Sequence, residues 1–154
     1  MKAKSIYGLR QQALKFLSRR EYSRYELQRK LTAKGWSVAE VGIVLDELAA
    51  ERLQDDSRFV GAYSRYRSEA GYGPRRILAE LAERGIKEVP AELADENSAC
   101  WLEALQRVWQ KKFNGQAPRD LATKAKQARF LIYRGFTPEQ VYQFFRIPPF
   151  EKGG

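Results

Sequence analysis

The 154-residue chain has no histidine and a single cysteine, Cys100. Without histidine, imidazole acid–base relays and Cys/His metal sites are excluded, and one thiol cannot form an intrachain disulfide or a multi-thiolate zinc site. Most hydrolase templates fall with them. Cys100 stands beside Trp101 in an apolar helical pattern, where a free thiol is expected to be a small buried hydrophobe. The absence of a disulfide framework fits a reducing cytoplasm. No stretch reaches the ~18 apolar residues of a membrane span, and the basic opening MKAKSIYGLR leads into no long apolar run. A cytoplasmic protein without membrane contact is expected. There is no Gly-x-x-x-x-Gly-Lys-Ser/Thr loop, and Gly71-x-Gly73 lacks the third glycine and the preceding strand of a dinucleotide fingerprint. Asp55-Asp56 reads as a pair of capping charges opening a helix, in preference to a metal site. The inventory therefore points to no cofactor, no metal and no enzyme.

What the chain does have is positive charge. Its 28 Lys plus Arg against 19 Asp plus Glu give a formal charge of +9, with 44% hydrophobic residues to build a core. Polyanions or acidic protein faces are the natural partners; the alternative is a solvated basic surface without function. The charge is unevenly placed. Residues 1 to 36 carry 10 basic and 2 acidic side chains (net +8), 37 to 98 carry 8 and 13 (net −5), and 99 to 154 carry 10 and 4 (net +6).

Three phrases recur at a constant interval of 50: LTAKGW at 31 to 36, LAERGI at 81 to 86 and LIYRGF at 131 to 136. Glycine after a helical stretch, with a cation just before it, is a helix C-terminal signature, because glycine enters the left-handed conformation without a Cβ clash. The bulky residue that follows (Trp36, Ile86, Phe136) is expected to pack back across the turn. Ser37 to Glu40 and Thr137 to Gln140 match capping boxes that restart the chain as helix, the second with Pro138 at the favoured first position. Apolar registers repeat at the same interval: Leu9, Phe59 and Trp109, then Ala13, Tyr63 and Phe113. Val41, Val44 and Leu45 return as Val141, Phe144 and Phe145, whereas the middle copy has Ala91, Ala94 and Asp95 there, with Pro90 and no capping box. Its third helix should be the shortest and the most weakly packed.

Each repeat thus reads as three helices. They are expected near 6 to 18, 23 to 34 and 37 to 52; 55 to 70, 74 to 84 and 88 to 97; and 98 to 114, 119 to 134 and 137 to 146. Ser23 to Glu26 supplies a further capping box, and Pro74 after Gly73 a further start. Pro148-Pro149 should end the last helix. The expected architecture is all-α: three tandem three-helix repeats at 1–53, 54–97 and 98–147 in an elongated, curved array, followed by a flexible tail at 148–154. A compact helical bundle carrying a buried triplication is the alternative.

Arginine and tyrosine interleave in SRREYSRYELQRK, with Arg19, Arg20, Arg24, Arg29 and Lys30 beside Tyr22 and Tyr25, and again in YSRYRSEAGYGPRR around a Gly71 and Gly73 hinge. Such mixtures hold phosphates and stack on bases or protein side chains. Tyr63 and Tyr66, at helical spacing with Phe59, read as partly buried core. Lys124, Lys126, Arg129 and Arg134 decorate the helix ending at Gly135, and Lys111 and Lys112 extend that basic set.

Ser23-x-x-Glu26-Leu27-x-x-Lys30-Leu31-x-x-Lys34-Gly35, Asp55-Asp56-x-x-Phe59, Gly73-Pro74-x-x-Ile77-x-x-Glu80-Leu81 and Phe130-Leu131-x-x-Arg134-Gly135-Phe136 together resemble, in order and spacing, the RecX family of bacterial regulatory proteins. The resemblance spans roughly residues 9 to 146, and the ordered combination carries it. The chain departs from the family pattern mainly in its weak middle third helix. The resemblance implies a monomeric modulator that lies in the groove of the RecA filament on DNA and inhibits recombinase, ATPase and coprotease activity, with weak binding to single- or double-stranded DNA. On that basis Arg19, Arg20, Arg24, Arg29, Lys30, Arg75 and Arg76, with Tyr72 as an aromatic anchor, are candidate contacts to RecA or DNA at one end. Lys111, Lys112, Lys124, Lys126, Arg129 and Arg134 are candidates at the other. A competing reading is a stand-alone DNA binder that inserts a helix into the major groove. The two separate by salt: a major-groove reader retains chosen duplex sequences at moderate salt, whereas a filament modulator releases free DNA as salt rises and holds assembled RecA far more tightly.

Overall fold

The computed structural model describes residues 6–146. The expected stop at Pro148-Pro149, the tail at 148–154 and the first residues of the opening segment lie outside them. Among the described residues the chain forms nine α-helices and no strand: α1 Ile6–Leu17, α2 Arg24–Ala33, α3 Val38–Ala50, α4 Asp56–Glu69, α5 Pro74–Glu83, α6 Ala91–Ala94, α7 Ala99–Phe113, α8 Leu121–Tyr133 and α9 Pro138–Phe145.

Local chemistry sets these limits. Ser23, Ser37 and Thr137 each accept the backbone N–H three residues on, while Glu26, Glu40 and Gln140 reach back to the cap, completing three capping boxes. Gly35, Gly85 and Gly135 take φ of +104°, +82° and +109°. In each turn the bulky follower donates its N–H to the leucine five residues back: Trp36 to Leu31, Ile86 to Leu81 and Phe136 to Leu131. Those followers are buried. The same turn ends α4 at Gly71, where Tyr72 N–H donates to the Arg67 carbonyl. It also ends α3, with Arg52 held at φ 63° in place of a glycine. The segment expected as a hinge is therefore two fixed positions: Gly71 closes α4, and Gly73 stands at the threshold of α5. The weak middle third helix shrinks to α6, four residues with no buried side chain.

The chain divides into two compact units, with one division inside α4. The first holds residues up to Tyr63 together with Leu81–Glu88. Its core is Leu9 and Ala13 of α1, Leu27 and Leu31 of α2, and Val41, Val44, Leu45 and Leu48 of α3, all essentially sealed from solvent. The second holds Ser64–Glu80 together with residues from Val89 onward. There Trp101, Leu105 and Trp109 of α7 pack with Leu131 of α8 and Val141, Phe144 and Phe145 of α9. Trp109 meets Phe144 edge-on at 5.5 Å. Its indole N–H donates to Gln127 Oε1 at 2.8 Å, and Gln127 Nε2 donates to the Gln116 carbonyl, so the buried amide is satisfied.

Each unit contains the same kind of helix-end junction. In the first, Ser23 Oγ at the start of α2 donates to the Arg84 carbonyl at 2.8 Å, and Tyr25 presses on Gly85 so closely that an added Cβ would stand 2.5 Å from the tyrosine Cβ. In the second, Gly73 and Arg75 N–H at the start of α5 donate to the Arg134 and Gly135 carbonyls at 2.8 and 2.9 Å. Carbonyls left over at a helix C-terminus thus meet donors at a helix N-terminus, a capping hydroxyl in the first unit and backbone N–H groups in the second.

Three expectations need correction. Cys100 is exposed, because it is the next residue, Trp101, that turns into the core. Tyr66 is 64% exposed, although Tyr63 is half-buried and stacks on Phe59 at 5.5 Å. Of the acidic pair, Asp55 caps its own helix through Ser57 and Arg58 N–H, whereas Asp56 Oδ1 accepts from Arg24 N–H at the start of α2.

The packing at Gly73 leads to a paired test. A Cβ on Gly73 would lie 2.6 Å from backbone atoms of Gly135 and Phe136, while one on Gly42, inside α3, meets nothing within 4 Å. Gly73→Ala should destabilise the protein by about 1–3 kcal/mol through forced separation of the junction. Gly42→Ala should stabilise it by about 0.5–1 kcal/mol through helix propensity. Denaturant midpoints shifting in opposite directions would check this.

Candidate binding surfaces

Within the first unit, several expected contact residues spend their charge on the fold. Arg20 lies 3.6 Å above the Tyr22 ring and pairs with Glu26 at 3.2 Å. Arg24 pairs with Asp46 at 2.8 Å, and Arg29 donates to the Tyr25 hydroxyl at 3.2 Å. A hydrogen bond from Arg10 to Glu51 holds that guanidinium above its ordinary value. Arg19 and Lys30 are exposed and have no carboxylate partner among the described residues; Lys30 hovers 5.6 Å from the Phe16 ring.

In the second unit, Tyr72 is ringed by three guanidiniums, Arg67 at 4.1 Å, Arg76 at 4.7 Å and Arg134 at 5.1 Å. Glu80 answers two of them, with Arg67 bidentate at 2.8 and 3.0 Å and Arg76 at 3.3 Å. Arg75 pairs with Glu96 at 3.4 Å. Arg134 Nη1 donates to the carbonyls of Ala70 and Gly71, the last of them a glycine whose own Cβ, if present, would strike that guanidinium. Tyr72, Arg76 and Arg134 are thus one packed cluster, with Arg67 and Glu80 at its centre, and the Arg75 side chain stands apart from it on Glu96.

The other five candidate cations of this unit form no ion pair among the described residues. Lys111, Lys112, Lys126 and Arg129 are exposed, and neither they nor Lys124 have a carboxylate partner among the described residues. Lys111 and Lys112 join Arg107 and Arg134 around an open cleft of about 450 Å³ floored by Val108 and Phe130. Both Lys112 and Arg134 lie within about 5 Å of the Phe130 ring. Among the described residues Glu69 is the one carboxylate lining the cleft. Its cations, being close together with little neutralisation, favour an anionic ligand or an acidic protein segment. Lys126 and Arg129 stand on the exposed face of α8 with Tyr133, which is 76% exposed. Asp120 opens that helix, and hydrogen bonding from Thr123 holds its carboxyl below the ordinary aspartate value. Arg107 was not among the expected residues; its place four residues before Lys111 on α7 is the signal that would have found it. No cluster of His, Cys, Asp or Glu suited to a metal occurs among the described residues, and no helix there is long and apolar enough to cross a membrane.

Fold and surface together define a class: a protein of tandem three-helix domains bearing cationic faces. Family profiles assign each third of the chain in turn, "RecX, first three-helix domain" to residues 10–48, the second to 55–96 and the third to 102–145. The chain is 43% identical to the regulatory protein RecX of Pseudomonas putida (strain GB-1) over 135 residues, 87% of this chain and 86% of that one. It is 39% identical to the RecX of Pseudomonas fluorescens (strain SBW25) over 138 residues. The chain belongs to the RecX family. The crystal structure of RecX from Lactobacillus salivarius shares the fold with a TM-score of 0.71 at 17% identity, over 92% of this chain and 94% of that one.

The division between structural and free cations is testable without any partner. Lys111→Glu/Lys112→Glu should leave the melting temperature within about 2 °C, since exposed charges away from packed features contribute little. Glu80→Ala should lower stability by about 1–2 kcal/mol, because it strips the carboxylate from two half-buried guanidiniums. Equal effects from the two variants would contradict this partition.

Proposed function

We propose that this chain regulates RecA: it binds the RecA nucleoprotein filament, obstructs subunit rearrangement during ATP turnover, and so inhibits recombinase, ATPase and coprotease activity. Membership of a family whose members are named regulatory proteins supports the reading. The observation that carries it is the set of unpaired cations Lys111, Lys112, Lys126 and Arg129 on α7 and α8, held on rigid helices with aromatic neighbours. A chain that acts by occupying a surface needs charge and shape and no reacting group. Arg19 and Lys30 serve as contacts from the first unit. Tyr72, Arg20, Arg24, Arg29, Arg75, Arg76 and Arg134 present their neighbours in addition to any contact they make themselves, and Lys124 contributes to the cationic field of α8. Weak binding to single- or double-stranded DNA follows from the same charges, and a role in repair and the SOS response follows from the regulation of RecA.

The exposed face of α8 favours one competing reading, a stand-alone DNA binder with α8 in the major groove, because Lys126, Arg129 and Tyr133 lie on that face. Cosedimentation with RecA filaments at rising salt separates the two. Filaments should retain the chain at salt that strips it from free duplex, and Lys111→Glu/Lys112→Glu/Lys126→Glu/Arg129→Glu should weaken inhibition of the RecA ATPase by at least about tenfold, given roughly 0.5 kcal/mol or more from each lost contact. Selective retention of a duplex sequence, with no preference for filaments, would refute the regulatory reading.

A further inference from the structure

We infer that the Lys34–Gly35–Trp36 turn is a docking surface for the N-terminus of a helix in the partner protein, one that opens on a small residue and carries a carboxylate in its first turn. The inference rests on the RecA reading and names one contact within it.

The chain builds the same turn three times, at Gly35, Gly85 and Gly135, with the same left-handed glycine and the same bond back to a leucine. Two of the three are covered, and both by the N-terminus of a helix. The Gly85 turn receives the start of α2 through Ser23 Oγ and Tyr25. The Gly135 turn receives the start of α5 through Gly73 and Arg75 N–H. Among the described residues no helix start reaches the Gly35 turn: a Cβ on Gly35 meets no atom within 4 Å, and no donor there reaches the Lys34 or Gly35 carbonyl. Around it Ala33, Lys34 and Ala39 are exposed, and Val38 is 64% exposed. Small side chains and one uncovered apolar group thus frame two open acceptors at the negative end of the α2 dipole.

The preference for a carboxylate has an internal precedent. Lys34 occupies the place that Arg84 holds in the second turn, and Arg84 Nε pairs at 3.6 Å with Glu26, in the first turn of the helix docked there. Lys34, with Lys30 one turn earlier, has no such partner among the described residues. A second copy of this chain fits poorly. Among the described residues the one second helix of the repeats whose start meets no turn is α8; its capping carboxylate, Asp120, is already engaged by Thr123 N–H, its first turn has no acidic residue, and Lys124 and Lys126 follow. Bringing it to Lys30 and Lys34 would oppose like charges.

The test compares Lys34→Glu/Val38→Asp with the charge-matched Gln11→Asp/Lys15→Glu on exposed positions of α1, after circular dichroism confirms equal helicity. Binding to RecA filaments by cosedimentation should fall at least about tenfold for the first variant relative to the second, as expected for a lost charge-assisted contact. A photo-cross-linking residue at position 34 should attach within the first turn of a helix of the filament protein. Equal binding by the two variants overturns the inference alone, and so does attachment to DNA or to a second copy of the chain. Absence of filament binding by the unsubstituted chain overturns the RecA reading and this inference with it.

Discussion

The meeting of a helix C-terminal turn with a helix N-terminus is the constraint on which this molecule depends. It demands a left-handed glycine, because the receiving helix approaches to where a Cβ would be, as at Gly85 against Tyr25 and Gly135 against Arg76. It satisfies on both sides groups that a helix cannot satisfy alone. The middle repeat relies on it most. Its third helix has dwindled to Ala91–Ala94. Within the second unit the start of α5 meets the Gly135 turn, and within the first unit the Gly85 turn meets the start of α2.

Charge is divided between two tasks. Arginines near the junctions are drawn inward: Arg67 and Arg76 converge on Glu80, Arg84 reaches Glu26, and Arg134 caps carbonyls at the end of α4. Planar guanidinium suits these bidentate and stacked roles. The lysines stay outside them. Lys30, Lys34, Lys111, Lys112 and Lys126 are exposed with no carboxylate partner among the described residues, so the fold depends little on their charge. This separation lets one chain hold fixed geometry and still present an uncompensated cationic surface.

Much of the fold was legible because its signals are local. A capping box needs four residues and a glycine turn six, and each repeated at an interval long enough to define a module; helix limits read from them fall within a few residues of those observed. What could not be read depends on distant partners. That Asp56 serves α2 and not α4, that Arg75 finds Glu96, and that Arg24 finds Asp46 are choices across 21 to 32 residues of sequence. Cys100 illustrates the limit at shorter range: a 100° step along α7 decides whether it or Trp101 enters the core, and periodicity near a helix start leaves that phase ambiguous. Of the candidate site, the exposed cations were legible as composition, with Lys111, Lys112, Lys126 and Arg129 named from sequence. Its cleft was not, since Phe130, Arg107 and Ser68 come together only in the folded unit.

The junction itself can be measured directly by native-state hydrogen exchange at the Gly73 and Arg75 amides, which donate to Arg134 and Gly135. If helix-end docking organises the molecule, these two amides will exchange as slowly as those in the middle of α8, opening only when the second unit unfolds. Exchange at the rate of the exposed turn around Asn97 would show that the junction is a passive contact and would contradict the account.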